Sequence, residues 1–108
     1  MVQEIAPQEL HDMLHGDDDV IIIDVLAPEY FRKQHIPKAI NIPLEHIEEL
    51  TAELAEHHRP IVVYCYNSEC QASPQAAEKL IEMGFENVYD LKVGIEGYKK
   101  AGFTVTTY

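Results

Sequence analysis

Strand-like and helix-like segments alternate along this chain, and the alternation predicts an α/β fold: a parallel sheet with helices on both faces. Three observations carry that prediction. Residues 20–25 and 61–65 are runs dominated by apolar, β-branched side chains, as expected of strands covered on both sides. The segments between such runs space their apolar residues at helical intervals. Finally, 108 residues with 46% hydrophobic content supply one core and leave no room for a second, so residues 1–108 read as a single domain.

The elements follow in order. Pro7 suits a first helical position, and Leu10, Met13 and Leu14 form one apolar face that stops at Gly16. Asp17-Asp18-Asp19 reads as a solvated turn; it lacks the spacing and glycine of a calcium loop. After the strand at 20–25, Pro28 opens a short helix with Tyr30 and Phe31 as its apolar residues. Residues 35–43 are too proline-rich for a helix and read as a loop leading to a short strand at 39–42. Ile47, Leu50, Leu54 and Ala55 mark an amphipathic helix expected to run to His57-His58, where positive charge is favourable in a last turn. Ala77, Leu80 and Ile81 mark the buried face of another helix, opened by Ser73-Pro74 and stopped by Gly84. Ser73 is expected to cap it. Val88–Leu91 is a strand, residues 95–101 a last helix, and residues 103–108 a β-prone tail.

Charge narrows the partners. Eight Lys and Arg stand against 19 Asp and Glu, a net charge of −11 with neutral His. That balance argues against nucleic acid and against an anionic membrane surface. It also sets an unfavourable long-range field for an anionic substrate. No secretion signal is visible and no apolar run is long enough to span a bilayer, so a cytoplasmic location is expected. The two cysteines are then read as functional thiols in a reducing compartment. No cofactor is expected. His11 and His15 share a helix face, but no third ligand accompanies them, so no metal site is expected.

The chemistry centres on Cys65. An apolar strand ends on this thiol, a polar loop follows (Tyr66, Asn67, Ser68, Glu69, Cys70, Gln71), and a helix begins. Ligands of parallel sheets bind beyond the carboxyl ends of the strands. Loop N–H groups and a helix N-terminus aimed at a sulfur favour its thiolate. A buried structural thiol is the competing reading, and the position of Cys65 at the end of the run argues against it. A free cysteine has a pKa of roughly 8.5, and one pKa unit is about 1.4 kcal/mol. A helix N-terminus contributes only about 0.3–1 kcal/mol. Several loop amides must therefore face the sulfur together. Glu69 opposes them if its carboxylate turns inward. The loop holds no cation, and Lys92 is the nearest candidate for electrostatic support by topology, against its reading as an ordinary surface lysine. Cys70 is either a passive loop residue or a resolving thiol able to close a disulfide with Cys65.

The chain resembles a single rhodanese domain, the sulfurtransferase module. The matching stretches are Ile22-Ile23-Asp24-Val25, Tyr30-Phe31, and His35-Ile36-Pro37 running into Ala39-Ile40-Asn41-Ile42-Pro43. They continue with Val62-Val63-Tyr64-Cys65, Gly84-Phe85, Val88-Tyr89, Leu91, and Gly94-Ile95-Glu96-Gly97-Tyr98. The resemblance implies a three-layer α/β/α fold with a five-stranded parallel sheet in the order 3-2-4-5-1. It implies that Cys65 accepts a sulfane sulfur as a persulfide and passes it to a thiol or another nucleophile. Asp24 and His35 match its fold motifs and are expected to fix loop geometry by hydrogen bonds. There are departures. The loop lacks the Gly and Arg that the family often carries and looks longer. Leu26 stands where an Arg is common, Tyr98 where a Trp is usual, and Val93 in place of the first Gly of a pair.

These departures put thiosulfate in the place of a poor donor. The expected donor is a small persulfide or a protein persulfide, the acceptor a thiol, and the working unit a monomer. The alternative is a catalytically weak rhodanese-like module that binds a basic protein partner or senses redox state through Cys65 and Cys70. Phosphatase chemistry is disfavoured, because the related dual-specificity phosphatases hold the phosphate with an Arg where this chain has Cys70.

Overall fold

The structure, a computed structural model, describes residues 2–16, 19–52, 54 and 56–107. Asp17 and Asp18 of the expected turn, Ala55 of the expected helix face and Tyr108 of the tail lie outside the described residues.

Five parallel strands form the main sheet: β1 (Gln3–Glu4), β2 (Ile21–Asp24), β4 (Ile40–Asn41), β5 (Ile61–Tyr64) and β6 (Val88–Leu91). Their spatial order is β1-β6-β5-β2-β4. Counted within this sheet alone, that is the expected order 3-2-4-5-1. The helices are α1 (Pro7–His15), α2 (Pro28–Lys33), α3 (Ile47–Thr51), α4 (Ala72–Glu82) and α5 (Gly94–Lys100). A 3-10 turn, Leu44–His46, leads into α3.

Strand alternation splits the core in two. Ile21, Ile23, Ile61, Val63 and Cys65 face Ala76, Ala77 and Leu80 of α4. Ile22, Val62, Tyr64 and Leu91 face Leu10 of α1 and Ile95 and Tyr98 of α5. The central strands β2 and β5 are buried along their whole length, which is why they read as uninterrupted apolar runs. Each fully buried Ile or Leu contributes about 1.5–3 kcal/mol.

The structure corrects three expectations. The helix expected to reach His57-His58 ends at Thr51. There the buried Thr51 hydroxyl turns back to the Ile47 carbonyl, and Leu50 is 53% exposed. The carbonyls of His57 and His58 accept instead from Glu86 N and Asn87 Nδ2, so this segment feeds β5 rather than closing a helix. Second, His35, the first residue of the expected loop, lies in a strand: β3 (Gln34–His35) pairs antiparallel with β7 (Thr106–Thr107) in a separate two-stranded sheet. Third, Ser73 does not cap α4. The cap is Gln71, and Ser73 lies inside the first turn, buried.

Candidate active site

The carboxyl ends of β2, β5 and β6 lie side by side at one edge of the sheet, and a hydrogen-bond network ties those of β2 and β5 to the neighbouring loops. Asp24 Oδ1 accepts from Leu26 N and Asp24 Oδ2 from the Tyr64 hydroxyl, both at 2.9 Å. That hydroxyl accepts from Ile36 N at 3.0 Å. Asn41 Nδ2 donates to the carbonyls of Asp24 and Leu26 at 3.0 and 2.9 Å. Burial pushes the Asp24 carboxyl above its ordinary value, and the Leu26 N–H, the Tyr64 hydroxyl and His35 hold it back. Burial and the Asp24 charge push Tyr64 strongly upward, so it stays a donor. His35 stacks on Phe31 with ring centroids 3.9 Å apart, and its Nδ1 lies 2.9 Å from the Phe31 carbonyl oxygen. Asp24 and His35 therefore hold loops in place.

Cys65 follows β5 directly. Its carbonyl accepts from Ile95 N, and the carbonyl of Tyr66 from Glu96 N, both at 3.0 Å. These bonds seat the first residues of the loop on the start of α5. The contact requires a glycine at position 94: Gly94 has φ +68°, and a β-carbon there would lie 2.5 Å from the Tyr66 carbonyl carbon.

The sulfur is not open to solvent. Cys65 is 1% exposed and is joined to Cys70 in a disulfide, with Cα atoms 6.4 Å apart. Ser73 Oγ lies 3.7 Å from Cys65 Sγ. The loop amides are not all free for the sulfur either. Glu69 N donates to Asn67 Oδ1 at 3.0 Å and Cys70 N to the Asn67 carbonyl at 3.2 Å, so two of them close a local turn. Glu69 is exposed rather than turned inward, and Ser68 and Gln71 are exposed too. Lys92 is half-buried, and its charge acts on the buried Asp90 carboxyl.

Beside the loop opens a cleft of about 370 Å³ lined by Leu26, Tyr30, Lys33, Gln34, Tyr66 and Ile95. Tyr30 and Tyr66 present much of their rings to solvent. Among the described residues Lys33 makes no ion pair; its Nζ lies 6.0 Å from the centre of the Tyr30 ring. No single run of sequence marks this cleft, because its walls come from three separate stretches of chain. His11, weighed as a metal ligand, stacks on Phe103 with centroids 4.2 Å apart. No helix among the described residues is long and apolar enough to cross a membrane.

Fold and site together define a class: a small α/β domain that places one cysteine at the carboxyl edge of a parallel sheet. The chain belongs to the rhodanese-like domain family, whose pattern matches residues 6–101. It is 33% identical over 99 residues to the thiosulfate sulfurtransferase GlpE of Coxiella burnetii, covering 92% of this chain and 89% of that protein. It is 29% identical over 105 residues to a sulfurtransferase of Allochromatium vinosum, covering 97% and 95%. The solution structure of the rhodanese-like domain of the Anabaena protein Alr3790 superposes with a TM-score of 0.88 at 28% identity, covering 100% of this chain and 81% of that one. These relatives make the chain a rhodanese-type sulfurtransferase in class.

Proposed function

We propose that this sulfurtransferase carries sulfane sulfur as a persulfide on Cys65 and passes it to a thiol. The observation that carries the reading is the place of Cys65: it ends β5 between the ends of β2 and β6, with the first turn of α4 packed against its sulfur. Two equivalents of a small thiol first reduce the Cys65–Cys70 disulfide through a mixed disulfide and leave as their own disulfide. The Cys65 thiolate then attacks the outer sulfur of a persulfide donor, and the donor leaves as its thiolate. An acceptor thiolate takes the outer sulfur from the Cys65 persulfide, and the Cys65 thiolate returns. No metal or organic cofactor takes part. We read the domain as a cytoplasmic monomer.

Two features favour a small persulfide or a protein persulfide over thiosulfate. The loop has no Lys or Arg and carries Glu69, in a chain of net charge −11. The neighbouring cleft has apolar and aromatic walls with one cation, Lys33. It suits an acceptor or donor thiol with an apolar body and one carboxylate better than a compact dianion.

The disulfide favours a second reading, in which Cys70 resolves the persulfide. Cys70 attacks the inner Cys65 sulfur, hydrosulfide leaves with the electron pair, and the two cysteines end as the disulfide. In the extreme case turnover is weak and the pair serves as a redox sensor. Steady-state sulfur transfer to cyanide, after reduction, separates the readings. The sulfurtransferase cycle predicts turnover that is lost in Cys65→Ala; a sensor predicts none above background in either protein.

A further inference from the structure

Asp90 is a carboxyl group in an apolar place. It is 2% exposed, and its Oδ1 is, among the described residues, the only buried side-chain oxygen or nitrogen without a hydrogen-bond partner. Such a group calls for an explanation. It lies on β6 opposite Val63, on the face of the sheet that also carries Cys65 and is covered by α4. Ser73, in the first turn of α4, is near both: its hydroxyl lies 3.7 Å from Cys65 Sγ, and it holds the Asp90 carboxyl back against burial. Ser73 is itself buried. The charged groups acting on Asp90 are Lys92, just beyond its own strand, and Glu4 on β1. Burial outweighs Ser73 and Lys92 and pushes the carboxyl upward, so its proton is held more tightly than in water.

We infer that Asp90 is a positioning residue that shares one proton with Cys65 through the Ser73 hydroxyl. In the reduced protein the Cys65 S–H donates to Ser73 Oγ and the Ser73 O–H donates to the Asp90 carboxylate. When the thiol ionises, its proton passes to Ser73 Oγ as the Ser73 proton passes to Asp90. Cys65 is then a thiolate, Asp90 a neutral acid, and Ser73 donates to the sulfur. Net charge is unchanged, so the buried site needs no water and no second buried charge. The sulfur gains the donor that the turn-forming amides of Glu69 and Cys70 do not supply. This deepens the proposed function and rests on its reading of Cys65 as the sulfur-carrying thiol.

The test is a thiolate titration by ultraviolet absorbance from about pH 4 to pH 9, in reduced protein with Cys70→Ser so that Cys65 alone reports. A shared proton gives two steps. Thiolate rises as the pair loses its first proton, holds a plateau, and rises again as the second leaves. With Asp90→Asn added, one step remains, falling about tenfold per pH unit below its midpoint. With Ser73→Ala added, the plateau moves from its parent height, because the hydroxyl that donates to whichever group is the anion is gone. A single step before either substitution overturns the inference, even if Asp90→Asn does not fold. Two steps that survive Asp90→Asn overturn it as well. The titration involves no sulfur transfer. A single step in a protein that still forms the Cys65 persulfide overturns the inference alone, and two steps without any persulfide overturn the proposed function alone.

Discussion

Gly94 lies so close to Tyr66 that a β-carbon on it would stand 2.5 Å from both atoms of the Tyr66 carbonyl. This contact anchors the loop after Cys65 to the start of α5, and only a residue without a side chain permits it. Gly94→Ala adds the clash to the strain of φ +68°. The expected loss is about 2–4 kcal/mol of unfolding free energy, at the high end for one substitution. Urea unfolding measures it. Gly102, also at positive φ but with nothing within 4 Å of its missing β-carbon, is the control: Gly102→Ala carries only the backbone strain, about 1–2 kcal/mol.

Tyr64 links β5 to two loops, donating to Asp24 and accepting from Ile36 N. Tyr64→Phe is expected to cost about 1–3 kcal/mol, because it leaves a buried carboxyl oxygen and a buried N–H short of a partner. The loss depends on pH. Asp24 titrates above its ordinary value in the fold, so its stabilising contribution is complete below about pH 4 and fades as pH rises through the folded value. Removing the hydroxyl that steadies the carboxylate pushes that value further up. The difference between variant and parent is therefore expected to be larger at neutral pH than at acid pH. Denaturant unfolding of both proteins at the two pH values checks the sign; a larger loss in acid would contradict it.

Glu69 sits exposed on the loop, and among the described residues it makes no ion pair. Glu69→Arg is expected to raise kcat/KM for thiosulfate, and to raise it more at low salt than at high salt, because screening removes the long-range part. Steady-state assays across ionic strength measure this. No change, or a decrease, means that local charge does not limit thiosulfate use.

Cys70→Ser removes the thiol bonded to Cys65. The expected outcome is a longer-lived Cys65 persulfide and a higher yield of sulfur trapped by cyanide. If the persulfide decays at the parent rate, Cys70 is not the resolving thiol. Peptide mapping of the oxidised parent provides the companion check, and a 65–70 link is the species expected.

Much of the fold was legible because burial on both faces leaves a plain mark. The runs at 21–24 and 61–64 are central strands, and Pro7, Pro28 and Gly84 punctuate helices where the structure places them. What escaped was short or set by distant partners. The strands Gln3–Glu4 and Gln34–His35 have two residues each and polar composition, so no periodicity reveals them, whereas the β-prone tail does hold the strand Thr106–Thr107. The helix after Ile47 was overrun because Leu50 and Leu54 keep its spacing, while the carbonyls of His57 and His58 are already committed to Glu86 and Asn87. At the site, Cys65 and its loop were legible as a strand ending on a thiol. Ser73 and Asp90 were not: one read as a cap and the other as a strand residue, since only the packing of α4 on the sheet sets Ser73 beside the sulfur and lets it act on Asp90.

Cys65 is proposed to carry the transferred sulfur. Intact mass spectrometry of the reduced protein after incubation with a small persulfide donor tests it most directly, with peptide mapping to place the modification. The expected result is a gain of one sulfur atom on Cys65, lost on adding cyanide and absent in Cys65→Ala. No gain, or a gain confined to Cys70, would contradict the account.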